Sequence, residues 1–148
     1  MQTLASLTLT PGPDAVTQAL GWLETVGEQA RWPTRTTFKL SLCLDEALSN
    51  IVMYGFKHAA GDSGTGVIRL AVHQDAQHVL LDLYDNGVPY DPTQQMPRDL
   101  DSSIEDAEIG GHGLRLMRHY LLDIQYQHTG AENHLRMTAA SETEAGRA

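Results

Sequence analysis

The sequence predicts an α+β two-layer sandwich, and three observations point that way. Alternating apolar residues mark about five strands, four of them in two pairs joined by links of a few residues, as antiparallel hairpins are. Three stretches with apolar residues at helical intervals are interspersed among the strands without alternating one for one with them. The resulting order is strand, helix, helix, two strands, a long irregular segment, helix, two strands. It suits a mainly antiparallel, mixed sheet of about five strands covered on one face by three helices. A chain of 148 residues, 41% hydrophobic and 20% charged, is of a size for one domain with a real core. We expect residues 1–140 to form that domain and 141–148, short and polar, to be a disordered tail.

The elements follow in order. Residues 2–10 alternate, with Leu7 and Leu9 on one face and Ser6, Thr8 and Thr10 on the other, so an opening strand is expected before Pro11-Gly12-Pro13 stops it. From Asp14 to about Gln29, Val16, Leu20, Leu23 and Val26 recur at helical spacing, with Asp14 placed to cap the helix. Trp32-Pro33 breaks this pattern. A second helix should start with Thr34 or Thr36 as cap and run to about Phe56, carrying Leu40, Leu44, Ala47, Leu48, Ile51 and Val52 on one broad face. Glu46 and Asn50 lie one turn apart on the other side, flanked by Leu42, Cys43, Met53 and Tyr54 in place of the Lys and Gln of an ordinary solvent face. A carboxylate and a carboxamide in such a setting need partners, which a ligand, a hydrated metal or neighbouring backbone can supply.

A glycine-rich turn at residues 61–66 leads into two strands. Ile68, Leu70 and Val72 share a face of the first, and Val79, Leu81 and Leu83 alternate with Leu80, Asp82 and Tyr84 in the second, across a link at Asp75-Ala76-Gln77. The second strand runs into Asp85-Asn86-Gly87-Val88-Pro89-Tyr90-Asp91-Pro92, a cluster of turn formers. Residues 93–108 are acidic and without periodicity, a length that reads as a functional lid or a surface excursion. Gly110-Gly111-His112-Gly113 then feeds a helix beginning at Leu114, and two last strands follow near Asp123 to Gln127 and Asn133 to Thr138.

Ten Lys and Arg against 19 Asp and Glu give a formal charge of −9, which argues against sequence-independent binding of nucleic acid or of an anionic membrane surface. No apolar run reaches the roughly 18 residues of a membrane span, and no signal pattern opens the chain, so a cytoplasmic location is expected. The single Cys43 has no disulfide or zinc partner, and the seven histidines show no metal-binding spacing.

Three local features carry chemistry. Gly-Gly-His-Gly at a helix start offers backbone N–H groups and a helix dipole to a phosphate. Asp85 at a strand end can accept a hydrogen bond from an exocyclic amine while Gly87 lets a flat ring approach the backbone. Glu46 and Asn50 offer a general base and an oxygen ligand for hydrated Mg²⁺. Each of the two glycine sequences, taken alone, is also an ordinary turn.

Together and in this order they resemble a known family. Glu46-Ala47-Leu48-Ser49-Asn50 resembles the N-box, Asp85-Asn86-Gly87 the first glycine box, and Gly110-Gly111-His112-Gly113-Leu114 the second, of the Bergerat-type ATP-binding fold shared by gyrase, Hsp90, histidine kinases and MutL, the GHKL group. Within that group the chain resembles the stand-alone anti-sigma-factor serine/threonine kinases, through Tyr90-Asp91-Pro92 after the first glycine box and Gly-Gly-x-Gly-Leu-x-Leu-Met into the last helix. The resemblance implies ATP and Mg²⁺ as cofactors, with Asn50 as the metal ligand, Glu46 as the base that takes a proton from a serine hydroxyl, Asp85 on the adenine amine, and Gly87, Gly111, Gly113 and Leu114 lining the nucleotide pocket. It implies as partners a STAS-domain anti-anti-sigma protein, phosphorylated on serine, and a sigma factor held inactive; homodimers occur in the family. Tyr54 stands where many relatives carry His, His112 is bulky for a glycine turn, and basic side chains are scarce around the motifs. An ATP-binding partner switch without kinase activity is therefore the second reading, and a histidine kinase domain stripped of its dimerisation helices the third.

Overall fold

The computed structural model describes residues 1–56, 66–91, 115 and 117–141. Its elements are β1 (Gln2–Leu9), α1 (Ala15–Ala30), α2 (Thr34–Asn50), a π-helical turn (Ile51–Gly55), β2 (Ile68–Gln74), β3 (His78–Asp85), helical residues 117–120 (α3), β4 (Asp123–Thr129) and β5 (Glu132–Ala140). The strands form one sheet in the order β1-β2-β3-β5-β4, and every pairing is antiparallel. The expected α+β sandwich is therefore present, with a sheet more uniform than the mainly antiparallel one anticipated.

Period-two patterning explains which face is covered. Leu9, Ile68, Leu70, Val72, Val79, Leu81, Leu83, Leu135, Met137 and Ala139 point to the helix side and form one core with Ala19 and Leu23 of α1, Leu40, Leu44 and Leu48 of α2, and Met117 of α3. The three α2 leucines are fully buried, and each such burial is worth roughly 1.5–3 kcal/mol, more than a typical cap at about 1 kcal/mol. Packing thus fixes α2 without help from its ends. Neither expected cap forms: Asp14 makes no side-chain capping bond, and α2 starts from Pro33 with Thr36 fully buried inside it. The helices approach closely at Gly27, where a Cβ would lie 2.6 Å from Thr37 Oγ1 and 3.0 Å from the Trp32 ring.

The second helix was expected to run to about Phe56. Its α-helical hydrogen bonding instead stops at Asn50 and passes into the π-turn, a local widening that recurs at functional sites. Cys43 is fully buried on the helix, and burial pushes its thiol up to about 12, as an inert core residue requires. Among the described residues, no helix is long and apolar enough to cross a membrane. The two glycine-rich segments at 61–66 and 110–113, the irregular stretch 93–108 and the tail lie wholly or largely outside the described residues.

Candidate functional site

The end of α2 meets the ends of β3 and β5. Asp85 is the last residue of β3, and its parity places it on the helix-covered face with Leu81 and Leu83. Register pairs Asp85 with Asn133 of β5, and Asn133 with His128 of β4, so one row across the sheet carries an acid, an amide and an imidazole. Between this row and α2 lies a narrow slot. Asn50, Asp85, Tyr90, Tyr126 and Asn133 supply its polar groups, and Ala47, Ile51 and Leu135 its apolar wall.

Of the residues singled out from sequence, Asn50 and Asp85 line this slot, both buried. Glu46 sits one turn before Asn50, half-buried, with Oε2 shut off from solvent. Its charge reaches Tyr90: burial first, then Tyr54 and Glu46, raise the Tyr90 hydroxyl above its ordinary value. Tyr90 also stacks on Tyr54, with ring centroids 5.2 Å apart, which ties the segment after β3 to the π-turn. Gly87 packs against that turn. The Val88 N–H donates to the Gly55 carbonyl at 2.8 Å, and a Cβ on Gly87 would lie 2.6 Å from the Gly55 oxygen, a contact between backbones that cannot give. So Gly87 is required here for close approach. Gly111, Gly113 and Leu114 lie outside the described residues.

Asp85 is held by neutral donors. The Gly87 N–H and Asn133 Nδ2 each donate to its Oδ1 at 2.9 Å. Both land on the same oxygen, and among the described residues no hydrogen bond falls on Oδ2. Burial raises the Asp85 carboxyl above its ordinary value, against the lowering effect of these two hydrogen bonds. Asn133 itself is 2% exposed and uses its whole amide: Nδ2 also donates to the Gly87 carbonyl at 3.0 Å, and Oδ1 accepts from the Tyr126 hydroxyl at 2.6 Å and faces His128 Nδ1 at 2.8 Å. Asn133 and Tyr126 were not among the expected site residues. The signal for Asn133 was its parity, an amide on the face that Leu135, Met137 and Ala139 fill.

The residues fit a magnesium nucleotide. Asn50 and Glu46 offer hard oxygen donors, and Asp85 offers an acceptor for an amine. Among the described residues no group of three or more His, Cys, Asp and Glu is arranged to hold a metal. A larger groove of about 420 Å³ lies on the uncovered sheet face at Gln125, Gln127, His134 and Arg136, and none of the motif residues lines it. The slot is therefore where Asn50 and Asp85, singled out from the sequence, come together.

Comparison with known proteins agrees with the geometry. Residues 9–139 match the histidine kinase-like ATPase domain family. The chain is 42% identical over 139 residues to the serine/threonine-protein kinase BtrW of Bordetella bronchiseptica, covering 94% of this chain and 95% of that protein. Among solved structures it resembles a blue-light activated histidine kinase of Erythrobacter litoralis, with a TM-score of 0.55 at 16% identity over 77% of this chain, and spans 33% of that chain's length. The isolated histidine kinase domain of the same enzyme gives a TM-score of 0.54 at 13% identity, over 84% of this chain and 58% of that one.

Proposed function

The chain belongs to the histidine kinase-like ATPase domain family, and from that premise we propose that it is an ATP-dependent protein serine kinase acting as an anti-sigma factor in a partner-switching pathway. Its substrate in this reading is a serine on a STAS-domain anti-anti-sigma protein, and its other partner a sigma factor. The observation that carries the kinase part is the nearly end-to-end match, at 42% identity, to a protein named as a serine/threonine kinase. The expectation of a cytoplasmic location belongs to the same proposal.

Each residue then has a task. Asn50, at the junction of α2 and the π-turn, holds Mg²⁺ through its amide oxygen. Asp85 accepts a hydrogen bond from the adenine amine, and Gly87 lets the ring approach. Glu46, one turn before Asn50, takes the proton from the incoming serine hydroxyl as general base. Gly111, Gly113 and Leu114, outside the described residues, keep the nucleotide-binding role that the resemblance of the second glycine box implies. Bound Mg-ATP supplies the phosphoryl group, with the metal offsetting its charge.

A mass increase of one phosphate on a STAS protein, after incubation with this chain and Mg-ATP, is the expected result; Glu46→Ala should bind ATP normally and transfer far more slowly. Equal transfer by that variant would remove Glu46 from the role of base. One observation favours the second reading, a partner switch that binds ATP without catalysis: among the described residues the lining of the slot includes no cationic side chain. A stable complex with the STAS protein that never gains phosphate would select it.

A further inference from the structure

The amide of Asn133 has one orientation only. Its nitrogen faces the Gly87 carbonyl at 3.0 Å, a group that accepts and never donates, so Nδ2 must lie on that side. Its second N–H then points at Asp85 Oδ1, 2.9 Å away, and its oxygen is left to Tyr126 and His128, at 2.6 and 2.8 Å. Both donors and both acceptor sites of the amide are used, in a residue 2% exposed. A flip would set Oδ1 against a carbonyl and a carboxylate oxygen, two repulsive contacts in a dry site.

This locked amide acts on Asp85. Two donors converge on Oδ1, from Asn133 and from the Gly87 N–H, and they stabilise the carboxylate over the acid at that oxygen. They also fix its rotation in the slot that Asp85 lines, and among the described residues Oδ2 is left as the oxygen without a hydrogen bond. An ionised carboxylate only accepts. It welcomes a ring that carries an exocyclic amine and repels one that carries a carbonyl there, whereas a protonated or rotated Asp85 loses that discrimination.

We infer that Asn133 is a positioning residue for base specificity: held by Tyr126 and His128, it presents Asp85 as a fixed acceptor and so selects an amine-bearing purine. The inference rests on the reading above in which Asp85 meets the base. No catalytic step passes through Asn133, so the property it sets is the choice of nucleotide.

The test compares binding of ATP, of the purine riboside triphosphate that lacks the amine, and of GTP to the full chain by calorimetry. Wild type should prefer ATP over the amine-less analogue by about tenfold or more. In Asn133→Leu, which keeps the number and branching of side-chain heavy atoms and removes every hydrogen bond, this ratio should fall toward one through weaker ATP binding, with the analogue's affinity nearly unchanged. Purely structural damage would weaken both ligands alike and keep the ratio. Because Asn133→Leu is a buried change, Tyr126→Phe combined with His128→Ala serves as the second variant; it keeps Nδ2 on Gly87 and Asp85, removes the two groups that hold the amide oxygen, and should lower the ratio severalfold through looser placement of Asp85. An unchanged ratio in folded Asn133→Leu, or in the double variant where the first does not fold, overturns the inference alone. Wild type that binds ATP no better than the analogue overturns the reading of Asp85, and this inference with it.

Discussion

Two buried aspartates three residues apart on β3 have opposite surroundings. Asp82 points to the uncovered face of the sheet and is 0% exposed because basic side chains close over it. Arg136 donates to both of its oxygens, Nε to Oδ1 at 2.8 Å and a terminal nitrogen to Oδ2 at 3.1 Å, while His134 sits 2.8 Å and His73 3.2 Å away. Burial alone would raise its carboxyl, but the hydrogen bonds and charges of Arg136 and His134 outweigh that and hold it below its ordinary value. Asp85, on the covered face, meets neutral donors on one oxygen only among the described residues, and its carboxyl is raised. The saturated acid has nothing left to offer a ligand. The half-satisfied one keeps an acceptor in reserve, which separates a structural acid from a recognising one.

Substitution should separate them by phenotype. Asp82→Ala leaves two imidazoles and a guanidinium crowded around a void, and losing one partner of a buried ion pair costs roughly 3–5 kcal/mol. The partial exposure of Arg136 puts the expected loss near the lower figure. A urea midpoint should show it, while ATP affinity below the unfolding transition should change by less than about twofold. Asp85→Asn should do the reverse. It removes an acceptor bond of the charged type, worth roughly 1.5–3 kcal/mol, or about 10- to 100-fold in ATP affinity, with little change in the urea midpoint. If Asp85→Asn unfolded as readily as Asp82→Ala, the contrast would collapse and Asp85 would be a structural residue. A smaller effect of mixed kind is expected for Gly87→Ala, where a Cβ must push the Gly55 backbone aside. Overpacking of this sort costs roughly 1–3 kcal/mol, and here it should reduce stability and ATP affinity together.

The contrast also shows what the sequence made legible. Glu46 and Asn50 stood out because helix periodicity is local, so two polar residues in an apolar surround can be read from a dozen neighbours. Asp85 and Gly87 stood out as turn formers closing an alternating strand. Asn133 did not, because its bond to Asp85 spans 48 positions and exists only through the register of β3 on β5. Asp82 looked like an ordinary outward polar residue, since its partners come from β2 and β5. The π-turn was hidden for another reason: a shift of one residue in hydrogen-bond partner leaves the apolar pattern of α2 intact. The caps failed because buried leucines position both helices more strongly than a side chain at either end.

The smallest expected effect is the one that compares the two acids most directly, their response to pH. For Asp82 the folded state holds the carboxyl below the ordinary 3.8, so its contribution is fully present above that value and is lost as pH falls through the lowered folded one. For Asp85 the folded state holds the proton more tightly than the unfolded chain does. Its ionisation therefore costs stability as pH rises from 3.8 through the raised folded value. The two contributions slope in opposite directions across the acid range and partly cancel in the wild type. Removing one should expose the other. The destabilisation caused by Asp82→Asn should shrink as pH drops below 3.8, whereas Asp85→Asn should compare more favourably with wild type near neutral pH than in acid. Urea titrations of all three proteins from neutral pH into acid would measure both differences. Parallel slopes would mean that the neutral donors on Asp85 Oδ1 satisfy it as fully as Arg136 satisfies Asp82, and its second oxygen would then have no reason to be held for a base.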